Sequence, residues 1–462
     1  MDRHSKVPRF VTRLCVPLLI IISFTTLGLV RGISLVQEQP SIALAANNGL
    51  GATPYMGWSS WSLTGSKVTG YGRSWMNAAH VEAESDAMHQ QLQSHGYTYI
   101  NLDAFWEQTS GSDFVVDAFG RWTPDPTRFP DIAAVGAHVH SNGQKFGLYM
   151  VPGMPKLAVS KNTPIQGTSC HANDIVVHPL TAGNHFNDTW KIDYTKPCAQ
   201  AYINSIASQL HGFGADYLKL DAVAPGSEVA GFDTRADVHA FAQALKPFNI
   251  WLELSSAVDI NNISFWQQNA NGWRIEGDVE CRGNCPGHLT SWSKVSSRFN
   301  DAPRWAQFAG PGGWNDFDSM NAGNGSMDGL SNTERQSYVT LWAISAVPMY
   351  TGDDITKLDS FGLSLLTNDE VIAVDQAGKP ATPISQSSSQ QVWRVHNSDG
   401  TYTVALFNLG SSTATVTVNW SSLGLSGSQN VRDLWSHTNL GSFSSQFSAS
   451  LPSHGSRLLR VG

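Results

Sequence analysis

Short apolar runs alternate with longer amphipathic stretches along most of the chain. The runs at 55–58, 97–102, 145–150, 215–220, 249–254, 272–275, 305–308 and 346–350 have strand length. Between them, stretches such as 83–94, 198–211 and 235–245 repeat apolar residues at helical spacing. In the last of these, Val238, Phe241, Ala242 and Leu245 fall on one face. Strands alternating with helices predict βα units and a parallel sheet. Eight such units predict an α/β fold closed into a (β/α)8 TIM barrel rather than an open sheet.

The pattern changes near Asp375. A Gly- and Pro-containing connector over 375–385 leads into runs at 391–395, 401–408 and 413–418. These alternate, are rich in Val and Thr, and are separated by Ser and Gly turns. They predict a small antiparallel β-domain, a sandwich. The N-terminus has a third character. Arg3, His4, Lys6, Arg9 and Arg13 precede an almost wholly apolar stretch over 14–30, and Ala43-Leu44-Ala45 has the small-x-small form of a cleavage site. The expected division is a signal peptide over 1–45, a catalytic barrel over 46–375 and a β-sandwich over 376–462. The expected destination is extracellular. An uncleaved membrane anchor is the competing reading of the same N-terminal stretch. No other run approaches the roughly 20 apolar residues of a membrane span.

The 462 residues are 41% hydrophobic and only 14% charged, against about 25% charged in typical soluble domains. Disorder does not explain this, because disordered chains combine few apolar residues with high net charge. Sixteen Trp, 20 Phe and 11 Tyr supply a large core instead. A net charge of −8 without any Lys/Arg run argues against nucleic acid or anionic lipid as a partner. Four cysteines follow the N-terminal stretch: Cys170, Cys198, Cys281 and Cys285. Of the three possible pairings, close spacing favours Cys281–Cys285, which leaves Cys170–Cys198. A zinc site has less support, since neither C-x-x-C pairs nor H-E-x-x-H occur.

In such a barrel, function gathers at the C-terminal ends of the strands, and here those ends are loaded with polar residues. Asp103 follows the second run, Asp221 the fourth, and Asp278 the sixth. Lys219 lies two residues before Asp221, on the same side of its strand, where a cation can hold a neighbouring carboxylate ionised. Two facing carboxylates are the pattern for glycoside cleavage: one attacks the anomeric carbon and the other protonates the leaving oxygen. Glu276 competes with Asp278 for the acid role. Phosphate loops, dinucleotide fingerprints and the G-x-S-x-G elbow are all missing from the sequence. Trp58, Trp61, Trp106 and Trp314 lie near predicted rim positions, where indole faces can stack on sugar rings. Trp58 reads as core.

Six motifs in barrel order carry a family resemblance. They are Thr53-Pro54-Tyr55-Met56-Gly57-Trp58 with Trp61, Tyr99-Ile100-Asn101-Leu102-Asp103, Phe146-Gly147-Leu148-Tyr149, Tyr217-Leu218-Lys219-Leu220-Asp221, Trp273-Arg274 with Asp278, and Ala309-Gly310-Pro311-Gly312-Gly313-Trp314-Asn315-Asp316. Over about 49–376 the chain resembles glycoside hydrolase family 27, the α-galactosidase (melibiase) family. The resemblance implies a retaining exo-α-glycosidase acting on terminal α-galactosidic bonds of an oligosaccharide or polysaccharide, without metal or cofactor. Asp221 matches the nucleophile and Asp278 the acid/base, with carboxyl groups roughly 5–5.5 Å apart. Trp61, Asp103, Tyr149, Lys219 and Arg274 match contacts to the cleaved sugar, and Asp318 a more peripheral one.

Three positions depart from the family pattern. Ala104 stands where a second Asp is usual, and Val223 where a Cys commonly follows the nucleophile. Ser255 stands at the position of a Glu that reads the 2-hydroxyl, with Glu253 two residues earlier on the same face. All three touch sugar recognition or its support and leave both acids in place. A β-L-arabinopyranoside, an isomaltose-type α-glucoside, or a non-catalytic carbohydrate-binding barrel are the alternatives they open. Sequons at Asn187, Asn262, Asn324 and Asn419 matter only in a host that glycosylates.

Overall fold

Eight of the chain's strands run parallel in the computed structural model, which describes residues 48–226 and 230–462. The basic and apolar N-terminal stretch and Ala43-Leu44-Ala45 lie outside the described residues. The strands are β1 (Met56–Ser59), β2 (Tyr99–Asn101), β3 (Lys145–Met150), β4 (Ala215–Leu220), β5 (Trp251–Leu254), β6 (Gly272–Arg274), β7 (Trp314–Asp316) and β8 (Met349–Thr351). From β1 to β7 each pairs with its neighbour in chain order, and β8 pairs back onto β1 through Met56–Met349 and Trp58–Thr351. The seam between β7 and β8 is carried by Met320, whose amide donates to the Tyr350 carbonyl at 2.7 Å and whose carbonyl accepts from the Gly352 amide at 2.8 Å.

Helices α1 (Ala78–Gln91), α2 (Ile132–Ser141), α3 (Ala199–Gly212), α4 (Arg235–Leu245), α5 (Ile263–Asn269), α6 (Trp292–Trp305), α7 (Asn332–Ser345) and α8 (Asp369–Gln376) follow β1 to β8 in turn. This is the (β/α)8 order. Asn77 caps α1 by accepting the His80 amide, and Ser331 with Glu334 forms a capping box on α7. On α4 the buried face holds Val238, Phe241 and Leu245 with Ala240 and Ala244, while Ala242 is only half-buried.

One predicted strand is corrected. Residues 305–308 are the end of α6 and a following 3-10 turn. Their apolar residues belong to a helix terminus, where Trp305 and Phe308 pack edge to face at 6.4 Å. The seventh strand is Trp314-Asn315-Asp316, two-thirds polar, so its run is not apolar. It is tolerated because its polar groups are satisfied: Asn315 accepts from the Trp273 indole and donates to the Trp305 carbonyl, both at 2.8 Å.

Period-two alternation stacks the barrel interior in layers. Tyr55, Tyr99, Tyr217, Trp251, Trp314 and Tyr350 form an aromatic cluster at the starting end of the strands. Tyr55 stacks on Tyr350 at 5.4 Å and shares a hydroxyl hydrogen bond with Tyr217 at 3.2 Å. Two residues further along each strand come Asn101, Lys219, Glu253, Arg274 and Asp316. Two further still come Asp103, Asp221, Ser255 and Asp318. Room for the middle layer comes from glycine: a Cβ on Gly272 would lie 2.0 Å from the Glu253 carboxyl, and one on Gly147 2.0 Å from the Asn101 side chain. The intervening residues Ile100, Leu148, Leu218, Leu220, Leu252 and Trp273 join the apolar layer under the helices.

The C-terminal part has strands β9 (Thr382–Gln386), β10 (Gln390–His396), β11 (Tyr402–Asn408), β12 (Ala414–Asn419), β13 (Gln429–Asp433), β14 (Thr438–Phe443), β15 (Gln446–Leu451) and β16 (Ser456–Val461). Strand β9 occupies part of the stretch expected to be a connector. A six-stranded antiparallel sheet in the order β9-β10-β11-β16-β13-β14 faces the two-stranded pair β12-β15, forming a sandwich. Val392, Val404, Leu406 and Leu459 fill the space between the sheets. The alternate residues Trp393, Ala405, Phe407 and Leu458 join the barrel's own core. Phe299 of α6 meets the Phe407 ring at 4.8 Å and the Trp393 ring at 6.2 Å. The central strands β10, β11 and β16 are therefore buried on both faces. Phe299→Ala is expected to cost about 3–5 kcal/mol, read as a lower guanidinium midpoint.

Candidate active site

The third layer of the barrel opens at the C-terminal mouth. Asp221 directly follows β4, where its amide donates to the Met150 carbonyl at 2.8 Å. Its carboxylate accepts from the Tyr149 hydroxyl at 3.2 Å and is half-buried. Asp278 lies just past β6 and keeps 24% of its side chain exposed. Three donors surround it, each at 3.4 Å: the Trp61 indole, Arg274 and Arg282. Arg282 also lies over the Trp61 ring at 5.7 Å.

Two other carboxylates here, Asp103 and Asp318, are neutralised by buried cations. Lys219 donates to Asp103 at 2.7 Å, so its direct partner is Asp103 rather than Asp221. Burial raises the Asp103 carboxyl against the pull of Lys219. Burial would lower the Lys219 ammonium, but Asp103 and then Asp221 more than reverse this and keep it charged. Arg274, 1% exposed, bonds Asp318 at 2.8 Å. Asp318 also accepts from the Val279 and Ser319 amides at 2.9 Å and from the Tyr350 hydroxyl at 3.2 Å. Against a burial that would raise it, Arg274, Lys219 and Arg298 hold Asp318 at about 2. Its φ of 81° is the left-handed region, uncommon for any residue but glycine though reached more readily by Asp than by most, and these bonds hold it there.

The structure thus brings Trp61, Asp103, Tyr149, Lys219, Asp221, Arg274, Asp278 and Asp318 into one connected mouth. Ser255 ends β5 at the same level, 2% exposed, its amide donating to the Leu220 carbonyl at 3.0 Å and its carbonyl accepting from Val223 at 2.7 Å. That backbone tie stands where the family's usual cysteine is replaced by Val223. Glu253 does not reach the mouth. It is 1% exposed in the middle layer, bonded to the Trp251 indole at 2.9 Å, because two residues along a strand is one full layer deeper. Glu276 turns to Arg298 of α6 at 3.5 Å. Of the four tryptophans, Trp61 alone stays half-exposed. Trp58 and Trp106 are core, their indoles donating to the Asp353 and Tyr149 carbonyls at 2.8 Å, and Trp314 lies at the opposite end of the barrel. Both expected disulfides, Cys170–Cys198 and Cys281–Cys285, are present; the second lies in the segment just after Asp278.

Ala104 is half-buried, and its amide donates to the Asp103 carboxylate at 2.8 Å. Phe105 follows in a left-handed conformation, φ 87°, with its ring 6.1 Å from that of Trp61. No carboxylate therefore stands beside Asp103 at position 104.

Sequence reading misses Glu280. It is fully buried, and one carboxyl oxygen accepts from the Ser62 and Ser319 hydroxyls, both at 2.6 Å. Its other oxygen has no partner. Oxygens of Asp278, Glu280 and Asp318 lie within 4.8 Å of one another. Arg274 and Arg282 supply the countercharge that a bound cation would bring to such a group. The one legible signal is spacing, since Glu280 lies two residues beyond Asp278, in the series Glu276, Asp278, Glu280.

Burial, then Asp318 and Asp278, push the Glu280 carboxyl up to about 8 from an ordinary 4.5. Burial likewise pushes Glu107 and Asp237 up to about 7. Each holds its proton in the folded protein at a pH where the unfolded chain has released it. Their contribution to stability is therefore full below the unfolded values and is lost as pH rises through the folded ones. Asp318 acts in the opposite sense, but only between its ordinary 3.8 and about 2. The melting temperature is expected to be lower at about pH 8 than at about pH 5, and Glu280→Gln to narrow the gap, measured by thermal unfolding at the two pH values.

Comparison with known proteins agrees with this geometry. A family model described as alpha galactosidase A matches residues 166–377, and one for the alpha galactosidase C-terminal beta sandwich domain matches 387–461. The chain is 31% identical to an alpha-galactosidase of Cyamopsis tetragonoloba, covering 89% of this chain and 87% of that one. It is also 31% identical to an alpha-galactosidase of Coffea arabica, covering 89% and 94%. A solved structure of a GH27 β-L-arabinopyranosidase from Geobacillus stearothermophilus superposes with a TM-score of 0.80 at 27% identity, covering 89% of this chain and 96% of that one. With its two-part architecture matched along its length, the chain belongs to glycoside hydrolase family 27, the α-galactosidase family.

Proposed function

We propose that this chain is a retaining exo-α-glycosidase that hydrolyses terminal α-galactosidic bonds, with Asp221 as nucleophile and Asp278 as general acid/base. The observation that carries the reading is the division of carboxylates at the mouth. Asp103 and Asp318 are each committed to a buried cation, while Asp221 and Asp278 stay half-exposed. Two carboxyl groups that face the solvent-filled mouth from the ends of different strands, each held only by contacts of 3.2 Å or longer, are what double displacement needs. Asp221 attacks the anomeric carbon as Asp278 gives its proton to the departing glycosidic oxygen. A water then gives a proton back to Asp278 and attacks the same carbon, releasing Asp221 with net retention. Trp61, Arg274 and Arg282 hold the acid in place, and the Lys219–Asp103 pair presents charge to the sugar hydroxyls. The substrate is an oligosaccharide or polysaccharide. The two disulfides and the N-terminal basic and apolar stretch support an exported enzyme.

Ala104 favours a second reading within the same mechanism. A site without a carboxylate beside Asp103 loses a partner for the sugar's O4/O6 side and tolerates a pyranose that lacks the exocyclic hydroxymethyl. The sugar is then a β-L-arabinopyranoside, the class named for the Geobacillus structure.

Asp221→Asn is expected to lower turnover at least about a thousandfold while leaving the melting profile intact. Asp278→Asn is expected to slow glycosides with poor leaving groups by about 10²–10⁴ and dinitrophenyl glycosides much less. Initial rates on matched nitrophenyl α-galactoside and β-L-arabinopyranoside decide between the two sugars.

A further inference from the structure

The connection from β3 to α3 runs from Val151 to Cys198. A βα connection usually takes about 2–6 residues, and this one is long enough to carry a short helix of its own, Lys156–Lys161. This one leaves the barrel at the catalytic end, since it follows the C-terminal end of a strand. It is also firmly built. Cys170–Cys198 ties it to the start of α3. Met154–Pro155 pairs antiparallel with Thr189–Trp190. Asn184, fully buried, donates to the Pro152 carbonyl at 3.1 Å, and the Thr189 hydroxyl donates to the same carbonyl at 2.7 Å.

This rigid segment carries the two exposed large hydrophobic side chains of the described residues, Leu180 at 42% and Phe186 at 46%. Phe186 is held by the fold: its amide donates to the Asn184 side chain at 2.9 Å, and its ring lies 4.2 Å from that of His185. Two residues on, Asp188 accepts from Asn184 at 2.8 Å. Burial raises the Asp188 carboxyl against the Asn184 bond and Lys156, and the charge of Asp221 raises it further. Thr189, next to Asp188, is bonded to the Pro152 carbonyl, three residues past the Tyr149 that donates to Asp221, so the segment adjoins the mouth. Beside it, Trp190 is half-exposed, with Lys156 over its ring at 4.9 Å.

An aromatic face held rigidly in water, next to a carboxylate and adjoining a glycosidase mouth, suits a pyranose ring: the ring's C–H face stacks and its hydroxyls bond at the edge. We propose that Phe186, with His185 and Asp188, forms a subsite for the leaving group, binding the sugar residue on the far side of the cleaved bond. The inference rests on the glycosidase reading above. That reading places the cleaved sugar among residues none of which comes from this segment, Tyr149 of β3 being the nearest of them in the chain.

The test compares kcat/KM for a trisaccharide with kcat/KM for the glycosyl fluoride of the same non-reducing sugar, whose leaving group is a single atom. Phe186→Ala is expected to lower the trisaccharide-to-fluoride ratio about tenfold, the scale of one lost aromatic contact, and Phe186→Trp to restore it. A ratio within about twofold of the parent in Phe186→Ala overturns the subsite, as does an equal loss on both substrates. Failure of the unaltered protein to hydrolyse even the fluoride overturns the glycosidase reading, and the subsite falls with it. A normal melting profile for the exposed-site variants separates these outcomes from misfolding.

Discussion

Arg274 is the charge around which the mouth is assembled. It ends the short strand β6, is 1% exposed, and reaches Asp318, Asp278 and the Glu276 carbonyl with one nitrogen. A guanidinium taken out of water at this depth costs several kcal/mol unless it is paired. Asp318 provides the pairing, and the left-handed turn that places Asp318 also lifts the chain away from β7 before Met320 rejoins the sheet. The ion pair, the strained turn and the interrupted seam are one arrangement. Remove the cation, and a buried carboxylate and an unusual backbone lose their support together.

The layered interior follows from the same logic. Below Arg274 the barrel is closed by aromatic rings, and above it stand the carboxylates. The middle layer mediates: Lys219 and Arg274 balance Asp103 and Asp318, so the remaining acids can be spared for chemistry. Lys219, Tyr217 and Asp221 show the principle on a single strand, where positions two apart read aromatic, cation, carboxylate. Strand alternation turns a linear sequence into depth along the barrel axis.

This depth explains what sequence makes legible. Runs such as 215–220 put Leu218 and Leu220 on their helix-facing side and are followed at once by an acid, so both strand and candidate acid can be read from them. Strand β7 defeats the same reading, because Asn315 and Asp316 find buried partners that no periodicity reveals. Glu253 reads as a mouth residue by side alone, two residues before Ser255 on the same face. Side is set by parity, whereas level is set by register against neighbouring strands, which a single sequence does not display. Glu280 lies outside the strands and is brought in by Ser62 and Ser319, contacts more than two hundred residues apart in the chain for the first of them. The second buried face of the sheet's central strands is hidden for a similar reason: Trp393 and Phe407 look like ordinary outward residues of a sandwich until Phe299 of α6 arrives against them.

The aromatic floor of the barrel has a consequence for traffic. Tyr55, Tyr99, Tyr217, Trp251, Trp314 and Tyr350 pack against one another across the starting end of the strands. With that end sealed, the barrel has a single door. Substrate enters through it, the leaving group departs through it, and the hydrolytic water must arrive the same way. These passages have to happen in order. How long the first departing molecule lingers on the threshold then sets whether water or another hydroxyl reaches the waiting carbon next.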